Sequence, residues 1–247
     1  MNRRRRPRHP YGPRTGMAAL LAAALAVTGC TAAEPGAAPR AEDARPTVIS
    51  VTDGDVDLAI LGEVYARVLT SGGYDVQLEI HSAQDPVSSA DRLLAGEADF
   101  IVGCTGELLA DFNPAGAEEI IDQWPELEEE GVGGFVVYDE LIASLPSRLS
   151  ATDPSSATSC DDAAEEQGLT QQVVPIFGAT LFDREQREAL TGITRLITTA
   201  DLEDMEEAAE ETGSVVEAVD EWVLDNEARS GGAFEDDRED VSYLYTP

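Results

Sequence analysis

The alternation of strand and helix patterns from residue 47 onward constrains the fold most strongly. Residues Thr47–Thr52 form a short β-branched run that is typical of a strand. In Leu58–Leu69 the apolar residues recur at steps of three and four, which predicts a helix with one buried face. Residues Tyr74–Ile80 alternate between apolar and polar side chains, which predicts a second strand. This order predicts an α/β fold built on a parallel sheet with helices on its faces.

A second helix and a third strand continue the alternation. The pattern predicts a helix over Pro86–Ala95, closed by Gly96, and an apolar strand over Ala98–Val102. In open α/β sheets, ligands bind beyond the carboxyl ends of the strands. Here these ends lead into the loops 52–55 and 103–106, so we expect a binding site where the two loops meet.

The C-terminal part of the chain is also regular. The pattern predicts a strand over Gln172–Phe177 and helices over 183–190, 202–211 and 215–226, with Thr198 in a capping sequence before the second helix. The residues between the two regular regions follow no clear period. We therefore expect a main α/β lobe over 47–106 and 173–247, and a reduced second lobe over 107–172.

The N-terminus has the three zones of a bacterial export signal in their usual order. Six arginines precede an apolar stretch, Met17–Thr28, which at about a dozen residues is shorter than the ~20 that span a bilayer. The stretch ends in Val27-Thr28-Gly29-Cys30, which resembles the lipobox of bacterial lipoproteins. We expect residues 1–29 to be a signal peptide, Cys30 to carry the lipid, and residues 30–46 to form a flexible tether. An ordinary cleaved signal with an incidental cysteine is the alternative.

A lipidated Cys30 would hold the protein on the extracytoplasmic face of the cell membrane. The acid-rich composition limits the classes of molecule that the protein can bind. The chain has 16 basic residues, all arginine, and 49 acidic residues. Loss of residues 1–29 removes six arginines and no acid, so the mature net charge is 10 − 49 = −39. Such a charge opposes binding to nucleic acid and favours a small cationic or zwitterionic solute. Adaptation of the surface to high salt is the alternative explanation.

Two cysteines, Cys104 and Cys160, remain once Cys30 is lipidated. Outside the membrane such a pair is more often bridged than free, which predicts a disulfide; two buried thiols are the alternative. The mature chain has one histidine, His81, and no short Cys/His spacing, so we expect no metal and no other cofactor. No nucleophile and base can be paired from the sequence, so we do not expect an enzyme.

Two stretches of the chain carry a family resemblance. The first combines ILGEVYARVLTSGGYDVQLEI with LLAGEADFIVGCTGELL, and the second runs from VVPIF through LTGITRLITTADLEDMEEAAEETGSVVEAVDEWVLDN. In this order they resemble the substrate-binding lipoproteins of glycine betaine, choline and related osmoprotectant ABC transporters. The resemblance implies the type II periplasmic-binding-protein fold, a solute-binding role and an ABC transporter permease as partner. It also implies that Thr105 and Gly106 contact the ligand.

The sequence departs from this family in three places. Gly103 and Cys104 stand where the family usually has an acidic residue and a tyrosine. The first loop, which usually carries Asn, Thr, Glu or Gln, reads Thr52-Asp53-Gly54-Asp55, and the middle segment is shorter than a complete second lobe. The departures leave open a second function: an envelope lipoprotein that keeps the binding-protein fold as an interaction module without a ligand.

The predicted ligand site combines the two strand-end loops with two aromatic rings. Asp53 or Asp55 would pair with the cationic head group of a quaternary amine, and Tyr138 or Phe177 would cover it through cation–π contact. The alternatives are that the aspartates only shape a turn and that the rings belong to the core.

Overall fold

The computed structural model of the protein describes residues 45–53, 56–82, 84–159, 169 and 172–227. These residues contain five strands and eight helices. The strands are β1 (Thr47–Asp53), β2 (Val76–Ser82), β3 (Phe100–Cys104), β4 (Leu149–Ala151) and β5 (Val173–Gly178). The helices are α1 (Val56–Ser71), α2 (Ser89–Ala95), α3 (Thr105–Phe112), α4 (Pro114–Glu130), α5 (Gly133–Ser144), α6 (Arg184–Leu196), α7 (Thr199–Thr212) and α8 (Val215–Glu227).

The five strands form one sheet in the order β2-β1-β3-β5-β4. β1 is parallel to β2 and β3, as the alternation of strands and helices predicts. β5 runs antiparallel to both of its neighbours, β3 and β4, so the sheet is mixed rather than wholly parallel.

Helices cover both faces of the sheet, which gives three layers. α1, α6, α7 and α8 pack on one face, around the inward side chains of Ile49, Val51, Phe100 and Val102. α2, α3, α4 and α5 pack on the other face, around Ile101, Val174 and Ile176. Successive residues of β3 point to opposite faces, and all five are buried. The predicted α/β architecture is confirmed.

α6 extends beyond its predicted end. The sequence predicts a helix that stops at Leu190, before Thr191 and Gly192, whereas the structure continues it to Leu196. Ile193 and Ile197 are buried against the sheet, and their burial holds the last turns in place. Packing thus overrides the weak helix propensity of glycine.

The predicted cap at residue 198 is confirmed. Thr198 is the N-cap of α7, and its Oγ1 accepts a hydrogen bond from the backbone N–H of Asp201 at 3.2 Å. The Asp201 carboxylate in turn accepts from the backbone N–H of Thr198 at 2.8 Å. This reciprocal pair satisfies two backbone donors that the helix itself leaves unpaired.

The described part of residues 107–172 lies against the same sheet. α4 and α5 pack with α3 and bury Ile120, Val137 and Leu141 on one face, while β4 forms an edge strand. The residues for which the sequence predicts a reduced second lobe therefore add helices and a strand to the compact unit that contains β1, β2, β3 and β5.

The start of the described chain is held by an ion pair. The Arg45 guanidinium donates to both carboxylate oxygens of Asp99, at 2.7 and 2.6 Å, and Asp99 also accepts from the Val48 N–H at 3.0 Å. Arg45 and Pro46 are the last two residues of the predicted tether; the signal peptide, Cys30 and the rest of the tether lie outside the described residues. Within the described ranges, every helix is too short or too polar to cross a membrane.

Candidate functional site

The carboxyl ends of β1, β2 and β3 lie together at one edge of the sheet, which we name the carboxyl edge. β1 and β3 pair in parallel through Ile49 with Phe100 and Ser50 with Ile101. Continuing this register along both strands places Asp53 beside Cys104. The two loops that the sequence predicts to meet therefore begin at adjacent strand ends.

The carboxyl edge contains a switch point of the fold. The chain leaves β1 toward α1 on one face of the sheet, but leaves the neighbouring β3 toward α3 on the opposite face. In open α/β sheets, ligands bind outside the strand ends at such a point of divergence. Asp53 ends β1 at this switch point; Asp55 lies outside the described residues.

A cluster of hydroxyl groups lies between the end of β1 and the start of α2, and the sequence pattern did not predict it. Ser50 and Thr52, on the same side of β1, both reach Ser89 at the start of α2: the Oγ atoms of Ser50 and Ser89 are 3.4 Å apart, and Thr52 Oγ1 is 3.2 Å from Ser89 Oγ. Ser50 and Ser89 are buried, while Thr52 is half-buried. Ser50 and Thr52 stand at alternate positions on either side of Val51, and this spacing is the signal that could have revealed the cluster.

Residues 152–159, which we name the strand-end segment, run from β4 across the carboxyl edge. The Ser155 N–H donates to the Val173 carbonyl at 2.9 Å, and the Val173 N–H donates to the Ala157 carbonyl at 3.2 Å. Further on, Ser159 Oγ donates to Asp57 Oδ2 at 2.8 Å, at the start of α1. Ser155, Ala157 and Ser159 are all buried, so this segment covers the edge at β5 and reaches α1.

Thr105 and Gly106 lie at the carboxyl edge but are buried beneath other residues. The Thr105 N–H donates to the Gln172 carbonyl at 2.9 Å, and Thr105 Oγ1 accepts from the Gln172 N–H at 3.2 Å. Gln172 is itself bridged to Thr158 of the strand-end segment. The Thr105 hydroxyl, which is predicted to contact a ligand, therefore accepts a hydrogen bond from the protein's own backbone.

The two predicted aromatic residues lie on opposite faces of the sheet. The Tyr138 hydroxyl donates to the Thr152 carbonyl at 2.8 Å, at the beginning of the strand-end segment. Burial raises the pKa of Tyr138 to about 12, and the nearby carboxylates of Asp153 and Asp139 add to the shift because they disfavour a phenolate. Tyr138 thus secures the end of β4 and the start of the strand-end segment.

Phe177 belongs to the core. It pairs across the sheet with Phe100, four positions along β5 from the Val173–Cys104 pair, a distance of about 13 Å along the strand. Its ring is fully buried and contacts Phe100 and Phe182, with ring centroids 6.0 and 4.9 Å apart. The structure does not bring Phe177 to the carboxyl edge, and its surroundings match the alternative that it is a packing residue.

Cys104 ends β3 and is buried at the carboxyl edge. Cys160 follows the strand-end segment directly in sequence but lies outside the described residues, so the disulfide stays a prediction. No group of three or more potential ligands among the described residues could hold a metal ion.

Comparison with solved structures shows the fold class. The structure of apo YehZ from Escherichia coli is similar to this chain with a TM-score of 0.54 and 11% identity, over 74% of this chain and 99% of that chain. A lactococcal OpuAC in its closed, liganded conformation with glycine betaine is a weaker match, with a TM-score of 0.38 and 11% identity over 78% of this chain and 100% of that chain. No family model and no curated protein matches the sequence. The chain has the mixed α/β fold of the type II periplasmic binding proteins.

Proposed function

We propose that the protein is an extracytoplasmic solute-binding protein of an ABC importer, anchored to the cell membrane through a lipid on Cys30. The observation that supports this proposal best is a binding-protein fold with polar side chains beside its switch point, between the ends of β1 and β3. Its solute is a quaternary amine or a related compatible solute, which it delivers to the importer's permease.

The residues around the switch point suit a cationic or zwitterionic head group. Asp53 ends β1 and Asp55 follows it two positions later in the sequence, and the hydroxyls of Thr52 and Ser89 provide donors and acceptors for the polar part of a solute. The net charge of the whole chain, −33, concentrates cations near its surface. The binding side is the one toward β2 and α2, because the strand-end segment covers Thr105.

Calorimetric titration against betaine, choline, carnitine, proline and ectoine tests the proposal. Thr52→Val or Asp53→Asn should weaken binding by about 1–3 kcal/mol, since each leaves a polar group of a bound solute without its partner. Asp122→Asn, at an exposed position on α4, is the matched control and should bind like the wild type. Absence of heat with all five solutes would refute the osmoprotectant proposal.

One observation favours the second candidate function, the interaction module without a ligand. The strand-end segment and Gln172 satisfy the hydrogen bonds of Thr105, where the family resemblance places ligand contacts. A thermal scan separates the two functions, because a solute at 100 times its dissociation constant adds about 2.7 kcal/mol to the free energy of unfolding. If the protein is only an interaction module, solutes should not shift the thermal scan. This should hold even in the Ser159→Ala variant, in which the strand-end segment has lost its hydrogen bond to Asp57.

The membrane anchor is tested separately. Intact-mass analysis of the protein extracted from membranes should show a diacylglycerol mass on Cys30, and Cys30→Ala should release the protein or stop its processing. Two acyl chains meet the requirement of two signals for stable membrane anchoring. A membrane-extracted wild type without an acyl mass on Cys30 would overturn this part of the proposal.

A further inference from the structure

α6 carries a basic face on a strongly acidic protein. Three of the seven arginines among the described residues lie on this one helix: Arg184, Arg187 and Arg195. With Glu188, Thr191 and Gly192 they line an open groove of about 440 Å³, which we name the α6 groove. The groove is remote from the predicted ligand loops in sequence, and the proposed solute binding does not use it.

The ion pairs already present at the α6 groove are exposed. Arg184 Nε lies 3.1 Å from Glu188 Oε1, with both side chains more than two-thirds exposed, and Arg195 pairs with Asp153 at the surface. Arg187 Nε donates to the Asp183 carbonyl at 3.2 Å and has no carboxylate partner in the described part of the chain. Exposed pairs contribute little to stability, so these guanidinium groups can exchange one carboxylate for another.

Gly192 leaves the middle of the groove open. It lies inside α6, where glycine is less favourable than alanine, and it has none of the usual structural reasons for glycine. Its φ is not positive, and a Cβ added there would meet no atom within 4 Å. The missing side chain therefore serves no contact within the described fold, but it allows another chain to approach the helix closely.

The spacing of the arginines fits an extended acidic segment. Arg187 and Arg195 are eight residues apart, which is about 12 Å along a helix axis. In an extended chain, residues four apart lie on the same side and about 13 Å from each other. Residues 235–240 of this protein read Glu-Asp-Asp-Arg-Glu-Asp, in which Asp236 and Asp240 are four positions apart in the sequence.

We propose that the α6 groove binds the protein's own acidic segment, residues 235–240. The chain is described up to Glu227, at the end of α8, which belongs to the same helix layer as α6. The seven residues 228–234 can extend over about 25 Å, and covalent linkage raises the effective concentration of the segment at the groove. The acidic remainder of the surface repels the segment, whereas the arginines attract it.

The absence of lysine from the sequence makes a sharp cross-linking test possible. Arg187→Lys or Arg195→Lys keeps the positive charge and introduces the single lysine amine of the full mature chain. A zero-length carbodiimide then joins this amine to any carboxylate in direct contact, and peptide mapping identifies the pair. We expect amide links between the new lysine and residues 235–240 in the monomer band. The Arg148→Lys variant, with its lysine on another part of the surface, is the control, and its yield of links to residues 235–240 should be lower by about fivefold or more.

A second variant tests the role of the groove itself. Gly192→Leu places a side chain at the centre of the groove, where an added Cβ meets no atom within 4 Å, so in the Arg187→Lys background it should lower the cross-link yield severalfold while the thermal unfolding curve keeps its shape. A yield from Arg187→Lys no higher than from Arg148→Lys would overturn the proposal. Links to residues 235–240 found only in cross-linked dimers would also overturn it, because the occupant would then be a second copy.

Discussion

Gly133 is a residue whose side chain is excluded by its neighbour. A Cβ at this position would lie 2.6 Å from the Trp124 ring, because the first turn of α5 packs directly against the indole. Gly133→Ala should therefore lower the free energy of unfolding by about 1–3 kcal/mol, the usual cost of overpacking a well-filled site. Urea denaturation followed by circular dichroism measures the change.

Gly192→Ala is the matched control for this substitution. It also lies in a helix, but its Cβ would enter open space, so alanine should raise the free energy of unfolding by up to about 1 kcal/mol through its better helix propensity. Equal effects of the two substitutions would contradict the packing of α5 against Trp124.

Tyr138 joins α5 to the start of the strand-end segment through its hydroxyl. Tyr138→Phe leaves the buried Thr152 carbonyl without this donor and should cost about 1 kcal/mol of unfolding free energy near neutral pH. Burial raises the pKa of Tyr138 to about 12 in the folded protein, above the ordinary value of 10.0. The stabilisation is thus complete below pH ~10 and is lost as pH rises toward ~12, because the unfolded chain loses its proton first.

Denaturation at a series of pH values checks the Tyr138 prediction. The difference in unfolding free energy between wild type and Tyr138→Phe should shrink between pH 10 and about 12. A difference that stays constant across this range would show that the hydroxyl is not buried as described.

At the scale of single elements, α7 depends on its N-terminal cap. Thr198→Ala removes the side chain that accepts from the Asp201 N–H and should lower the free energy of unfolding by about 1 kcal/mol. Glu203→Ala, at an exposed position within the same helix, is the control and should change stability by less than about 0.5 kcal/mol. If the two variants were equally stable, the hydrogen bond between the Thr198 side chain and the Asp201 N–H would contribute nothing to the free energy of unfolding.

At the scale of the whole molecule, the predicted disulfide would fasten the strand-end segment to the sheet. Cys104 ends the central strand, and Cys160 comes directly after Ser159, whose hydroxyl already contacts α1. Cys160→Ser should lower the free energy of unfolding by roughly 4 kcal/mol in the chain-entropy model, because the closed loop is long. Alkylation of the unfolded, unreduced wild type should leave Cys104 and Cys160 unmodified; labelling of both thiols would refute the bridge.

The elements with a local signal can be predicted from the sequence alone. The three- and four-residue spacing in α1, the alternation in β2 and the capping residues before α7 each arise from neighbours a few positions apart, and the structure has all three. The same holds for the adjacent carboxyl ends of β1 and β3, because parallel strands must end at the same edge. These features need no knowledge of distant contacts.

Contacts between residues distant in sequence decided the rest. The antiparallel direction of β5, the burial of Thr105 under Gln172 and the place of Phe177 in the aromatic core depend on partners far along the chain. The periodicity of neighbouring residues does not predict which strand a segment will pair with or which residues will cover the end of that strand. The sequence by itself therefore determined the layers and the edge at which a ligand site belongs, whereas only the tertiary structure decided which side chains at that edge are open, because burial is set by the packing of the whole chain.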